Sequence, residues 1–238
     1  MRKSLPVIIL FISSLSSFST YAQLGIIKDP DGFCNVRADA SNQSKIEDTL
    51  TNGRFVFAFE EGSKNNWLLV DYHKGKQHNS GYIHKSRVVF LKDLTAFKQT
   101  IVKDSLLKLE LNDMLITIRS GQFVKTGRKI TYKKYEGGEG QYVDAIDGKN
   151  VWGTDGRMPL TEYKFIQFKS GAHTLTFPKS SFNDLFEVDP LRGTSAWLDK
   201  ATGRVYIEAG NSDAAGSYIV AWVINNGKIE YREEFIPF

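Results

Sequence analysis

The chain has 238 residues, 31 basic against 27 acidic side chains, a formal charge of +4 and one cysteine, Cys34. A single cysteine excludes an intrachain disulfide, so stability must come from burial, for which this length suffices in one large domain or two modest ones. Near-balanced charge, with no basic cluster to neutralise successive phosphates, argues against a nucleic-acid partner.

At the amino end Arg2 and Lys3 precede an apolar run over residues 5–15, then a Ser-rich segment ending Thr20-Tyr21-Ala22. This is the layout of a secretory signal peptide, with small residues three and one positions before a cut that would leave Gln23 first. Serines at 13, 14, 16 and 17 break the run well short of the roughly 20 apolar residues that span a bilayer. Cleavage of residues 1–22 leaves 216 of the 238 residues and, without Arg2 and Lys3, a charge of about +2. The expected location is the periplasm or the extracellular space, with no membrane span after cleavage.

From Leu24 the pattern is one of short extended runs separated by turn residues. Asp29-Pro30-Asp31-Gly32 is a turn, Phe33-Cys34-Asn35-Val36-Arg37 a strand, and residues 38–44 a polar loop. Asn52-Gly53 is the strongest hairpin signal in this half, and Phe55, Phe57 and Phe59 then alternate along a strand whose aromatic face should be buried. Residues 67–72 and 81–84 supply two more strands. Five or six short strands in under 70 residues, with no amphipathic helix, predict a small barrel over residues 23–92.

The order Phe33-Cys34-Asn35-Val36-Arg37, Ser41, Ser44-Lys45-Ile46, Gly53, Trp67 with Val70, and Gly81-Tyr82-Ile83 resembles the bacterial SH3 domain across the whole module. One departure is Ala40, where many members carry proline. The resemblance implies a binding or positioning module that recognises a cell-envelope ligand, whether peptidoglycan or a protein, and that is seldom catalytic. Cys34 alternates with outward positions and reads as a core residue; Asn35 and Arg37 read as braces of the following loop. Trp67 with Tyr72 and Tyr82 is the candidate aromatic platform for a ligand.

Leu94, Phe97, Ile101 and Val102 carry the apolar stripe of a short connecting helix over residues 93–105, with Asp93 as its cap. Beyond it, residues 106–238 predict an antiparallel sheet or sandwich with one or two short helices, so the fold class is mainly β. Residues 107–111 and 114–118 form a hairpin, residues 129–135 a strand, and residues 163–168 pair with 174–177. Two further hairpins follow, 195–199 with 204–209 and 218–224 with 229–235, the latter across Asn225-Asn226-Gly227. Trp197 and Trp222 are expected inside the sheet.

Loops around residues 152–156, 178–185 and 211–216 are richer in polar residues and glycine than a sheet requires. Together they resemble, over residues 146–235, a second domain found in exported bacterial proteins, whose members often have glycine where this chain has Ala214. Trp152, Asp155, Asn211 and Asp213 are the candidate ligand contacts here, and the loops at 152–156 and 211–216 are expected to meet. No catalytic, metal or cofactor motif is assigned: there is no nucleophile elbow, no phosphate loop after the glycines at 137, 138 and 140, and no spaced ligand set. The leading reading is a non-enzymatic envelope-binding protein. Alternatives are a wall-glycan hydrolase using Asp155, Glu162 or Asp213, and an inhibitor of another exported protein.

Overall fold

The computed structural model describes residues 22–75, 77–103 and 105–237, so the expected signal segment, residues 1–22, lies outside the described residues except for Ala22. The first seven strands are β1 (Gln23–Ile27), β2 (Phe33–Arg37), β3 (Ile46–Thr51), β4 (Phe55–Lys64), β5 (Trp67–Lys74), β6 (Gln77–His84) and β7 (Val88–Phe90). They form one curled antiparallel sheet in the order β3-β2-β6-β5-β4-β1-β7. Its inner face closes on Ile27, Cys34, Val36, Leu50, Val56, Ala58, Val70, Tyr72 and Ile83. Cys34 is 4% exposed, so the thiol fills core space as its place in the alternation predicted.

Asn52-Gly53 does not close a hairpin between neighbours, because β3 pairs with β2 and β4 with β1 and β5. The turn is a corner: the Asn52 amide accepts from Asp29 N and donates to Asp29 O, both at 2.8 Å, and Gly53 N donates to Ile27 O. An Asn-Gly pair satisfies local backbone geometry equally well in either setting, and the side-chain bonds to a distant loop decided which one formed.

The expected connecting helix is replaced by two strands, β8 (Thr95–Ala96) and β9 (Lys98–Lys103), after a single 3-10 turn at Leu91–Asp93. Two of its apolar residues serve different cores. Leu94 packs against the joint with the first module, whereas Phe97 is buried in the sandwich described below, its amide donating to Ala196 O at 2.9 Å. Pairing with two separate sheets outcompeted one weakly specified helical turn.

The remaining strands are β10 (Leu106–Leu111), β11 (Met114–Gln122), β12 (Ile130–Lys134), β13 (Gln141–Ile146), β14 (Lys149–Asn150), β15 (Thr161–Ser170), β16 (His173–Thr176), β17 (Thr194–Asp199), β18 (Arg204–Asn211), β19 (Tyr218–Asn225) and β20 (Lys228–Phe235), with a short helix α1 (Pro190–Gly193). Sheets β16-β15-β11-β10-β9 and β20-β19-β18-β17-β8 face each other across Leu107, Ile116, Ile118, Ile166, Phe168, Ile207, Val220, Trp222 and Ile224. The small sheet β12-β13-β14 is an insertion between β11 and β15, with its own cluster of Val143, Ile146 and Phe186. Arg128 ties it down, bonding Asp147, Glu162 and Asn183 O.

The other face of the β17–β20 sheet is covered by the first module. Tyr206, Ala221, Val223 and Phe235 pack on Leu24, Ile26, Phe55, Phe57 and Leu91. The aromatic face of β4 is therefore the docking face. Burial on both sides explains why β19 reads as a continuous apolar run instead of an alternation. Trp222 is fully enclosed in the sandwich, whereas Trp197 lies partly buried at the joint.

Candidate binding groove

Alternation along β2 sends Cys34 and Val36 inward and leaves Phe33, Asn35 and Arg37 facing out. Trp67 of β5 lies opposite His84 of β6, and Leu69 opposite Tyr82, so these four share the same outer face; Tyr82 also faces Arg37 across β2 and β6. The close crossing of β6 over β2 depends on Gly81, where a Cβ would stand 2.4 Å from Val36 Cγ1. Loops carrying Asp29, Asp31 and Arg87 complete a groove of about 320 Å³ lined by Phe33, Asn35, Arg37, Trp67 and His84.

The groove carries both signs of charge. Arg87 Nη1 lies 3.2 Å from the buried Asp29 Oδ1, which also accepts from Asp31 N at 2.9 Å. Arg37 Nη1 donates to Ser44 O at 2.6 Å, bracing the loop after β2, which leaves the rest of a five-donor guanidinium at the groove. Trp67 meets the His84 ring edge-on at 5.4 Å, and His84 Nδ1 shares a 2.8 Å bond with Ser86 Oγ. Burial, reinforced by the Asp29 charge, pushes the Cys34 thiol up to about 12. Burial thus keeps the thiol protonated at neutral pH.

Of the expected platform, Trp67 lines this groove, at 9% exposure, and Tyr82 is half-buried on the same face. Tyr72 does not join them. It lies on the inner face of β5, 3% exposed, its hydroxyl pushed up to about 12 by burial and by Asp48. Trp67 and Tyr72 are five positions apart, an odd number, and in a strand that alone puts them on opposite faces. Phe33, His84, Asp29 and Arg87 were missed as lining residues, and Asn35 and Arg37, read only as loop braces, line the groove as well. Phe33 was readable from the alternation; His84, Asp29 and Arg87 arrive only through pairing of distant segments.

In the second module the loops at 152–156 and 211–216 do meet: Ser212 Oγ donates to Gly153 O at 2.8 Å. They open onto two cavities, one of about 580 Å³ bordered by Asp213, Arg157, Leu160 and Arg192, and one of about 410 Å³ bordered by Trp152 and Asp155. Neither shares a lining residue with the groove. Trp152 is half-buried against Tyr218, ring centroids 5.8 Å apart, and Asp155 and Asp213 are exposed. Asn211 is buried, its amide oxygen accepting from Tyr163 Oη at 3.1 Å, and so joins loop to core. Ala214 adopts φ +45°, a left-handed geometry that glycine would take without strain.

Of the carboxylates around these loops, Asp213 borders the larger cavity together with Glu187 and Asp189, and Asp155 borders the smaller one. Glu162 is held by Arg128 at 3.0 Å and by Lys164. Burial alone would raise Asp184, but its bidentate bonds to Arg232, at 2.8 and 2.7 Å, and the nearby Lys149 outweigh it and hold the carboxyl below the usual range. Among the described residues, no three His, Cys, Asp or Glu side chains are grouped to hold a metal, and no helix is long and apolar enough to cross a membrane. Compared with protein-family models, curated proteins and solved structures, the chain matches none.

Proposed function

We propose that this is an exported, non-enzymatic binding protein whose first module, a bacterial SH3-like domain, holds a peptide segment of the cell envelope in the β2–β5–β6 groove. The observation that carries this reading is the lining itself: aromatic Phe33 and Trp67 beside Arg37 and Asp31, which suits a ligand bearing an amine, a carboxylate and an apolar side chain. The protonated Cys34 and the basic partners of Glu162 and Asp184 favour binding over chemistry. The layout of residues 1–22 supports export to the periplasm or beyond.

A pull-down on purified cell wall and on envelope extract tests the reading. Wild type is retained, and Arg37→Ala and Trp67→Ala each weaken retention about tenfold, equivalent to about 1.4 kcal/mol. Failure of wild type to bind either material sinks it, as does lytic activity on a peptidoglycan gel that Asp155→Asn and Asp213→Asn abolish.

A further inference from the structure

The 410 Å³ cleft in the second module has a composition unlike that of the groove. Its floor is β13 and β14, carrying Tyr142, Asp144 and Asn150, and its walls are residues 152–156 and 215–217. Tyr135, half exposed, lies against Tyr142 with ring centroids 5.2 Å apart and the planes tilted by 42°, extending the aromatic surface beside the cleft. The cleft is built tightly. Val143 N donates to Gly156 O at 2.7 Å, and a Cβ at Gly156, whose φ is +74°, would stand 2.7 Å from Tyr142 Cβ. With the Ser212–Gly153 bond, three separate segments are locked together before any ligand arrives, so binding would cost little ordering.

We propose that this cleft is a saccharide site, in which the Tyr142 ring takes the apolar face of a pyranose while Asp144, Asn150 and Asp155 take its hydroxyls. Short planar carboxylates and amides can each engage two adjacent hydroxyls, which donate and accept in turn. An anionic ligand is disfavoured, because the lining cation Lys133 is already paired with Asp144 at 2.8 Å and the neighbouring Arg157 lies 4.0 Å from the second lining carboxylate, Asp155. The volume lies within the range of about 300–1,000 Å³ in which small-molecule sites occur. The site is independent of the groove and of the reading given for it.

The experiment is a titration of the full chain, followed by tryptophan fluorescence and amide NMR shifts, with the β-1,4-linked tetramer of N-acetylglucosamine, the α-1,4-linked tetramer of glucose, and trilysine. Saturable binding of one of the tetramers is expected. Tyr142→Ala weakens it about tenfold or more, and Tyr135→Ala and Asp155→Asn about three- to tenfold. Trp67→Ala, in the groove, leaves it unchanged. The Tyr135 and Asp155 side chains are exposed, so those variants keep the fold even where Tyr142→Ala loosens the small sheet. The proposal is overturned if neither tetramer saturates below about 10 mM, if both surface variants bind like wild type, or if trilysine binds in preference to both sugars.

Discussion

The β17–β20 sheet is covered on both faces, and the two coverings differ in kind. Toward the sandwich, Val205, Ile207, Val220, Trp222 and Ile224 lie in an apolar core, and most polar groups that reach it are bonded: Trp222 Nε1 donates to Ser181 O at 3.0 Å, Tyr218 Oη to Phe186 O at 2.9 Å, and Arg232 to both oxygens of Asp184, while the buried Thr194 Oγ1 has no partner among the described residues. Toward the first module, an apolar centre of Tyr206, Ala221, Val223 and Phe235 is ringed by charge. Arg54 pairs with Glu233, Tyr231 Oη bonds Gly53 O, and Lys28 lies 3.5 Å from Asp199. An apolar centre with a polar rim is the anatomy of an interface between proteins, here within one chain. Apolar burial dominates the sandwich, whereas the joint sets a smaller apolar centre inside a ring of directional bonds.

The largest expected effect breaks the sandwich side. Trp222→Ala removes a fully buried indole and leaves a cavity, so a loss of about 3–5 kcal/mol is expected in denaturant unfolding. At the joint, Arg54→Ala leaves Glu233, whose side chain is 8% exposed, with only His73 Nδ1 beside it at 3.8 Å. Because Arg54 itself is partly exposed, the expected loss is about 1–3 kcal/mol, with the unfolding transition splitting as the modules uncouple. A single sharp transition at the wild-type midpoint would refute that role for the rim.

The smallest effect concerns Glu208, on the joint side of β18 opposite Ala221. Burial, with no compensating charge or hydrogen bond among the described residues, pushes its carboxyl from 4.5 up to about 7. Between those values the folded protein holds a proton that the unfolded chain has released, so stability falls as pH rises through this window and stays lower above it. Glu208→Gln should flatten that part of the profile and raise stability at pH 8 by about 1–2 kcal/mol, discounted for the surface the side chain retains. An unchanged profile would mean that this face is better solvated than its burial implies.

Much of the mainly-β architecture was legible in local pattern. Alternation over residues 33–37 fixed which side chains face out, and the turns at 200–203 and 225–227 close hairpins as their residues require. What was not legible depends on partners far along the chain. The stripe at Leu94 and Phe97 fits a helix, yet the two side chains belong to different cores, and no local period distinguishes one burial partner from two. Tyr231 and Gly53 meet across 178 positions, so the joint has no sequence signature at all. The groove was half readable: Trp67 announces itself, whereas Arg37 reads only as a loop brace, and Arg87 and His84 reach the groove only after the sheet has curled.

Cys34 has a further consequence for following this protein in time. Its thiol sits at 4% exposure beneath the groove, and burial keeps it protonated. Although Cys34 borders the groove, its 4% exposure makes a thiol reagent react readily only when β2 lifts from the curled sheet and the thiol is hydrated. With no second cysteine in the chain, the labelling rate is a one-residue clock for opening of the first module, and ligand held across β2 would slow that clock in proportion to its occupancy.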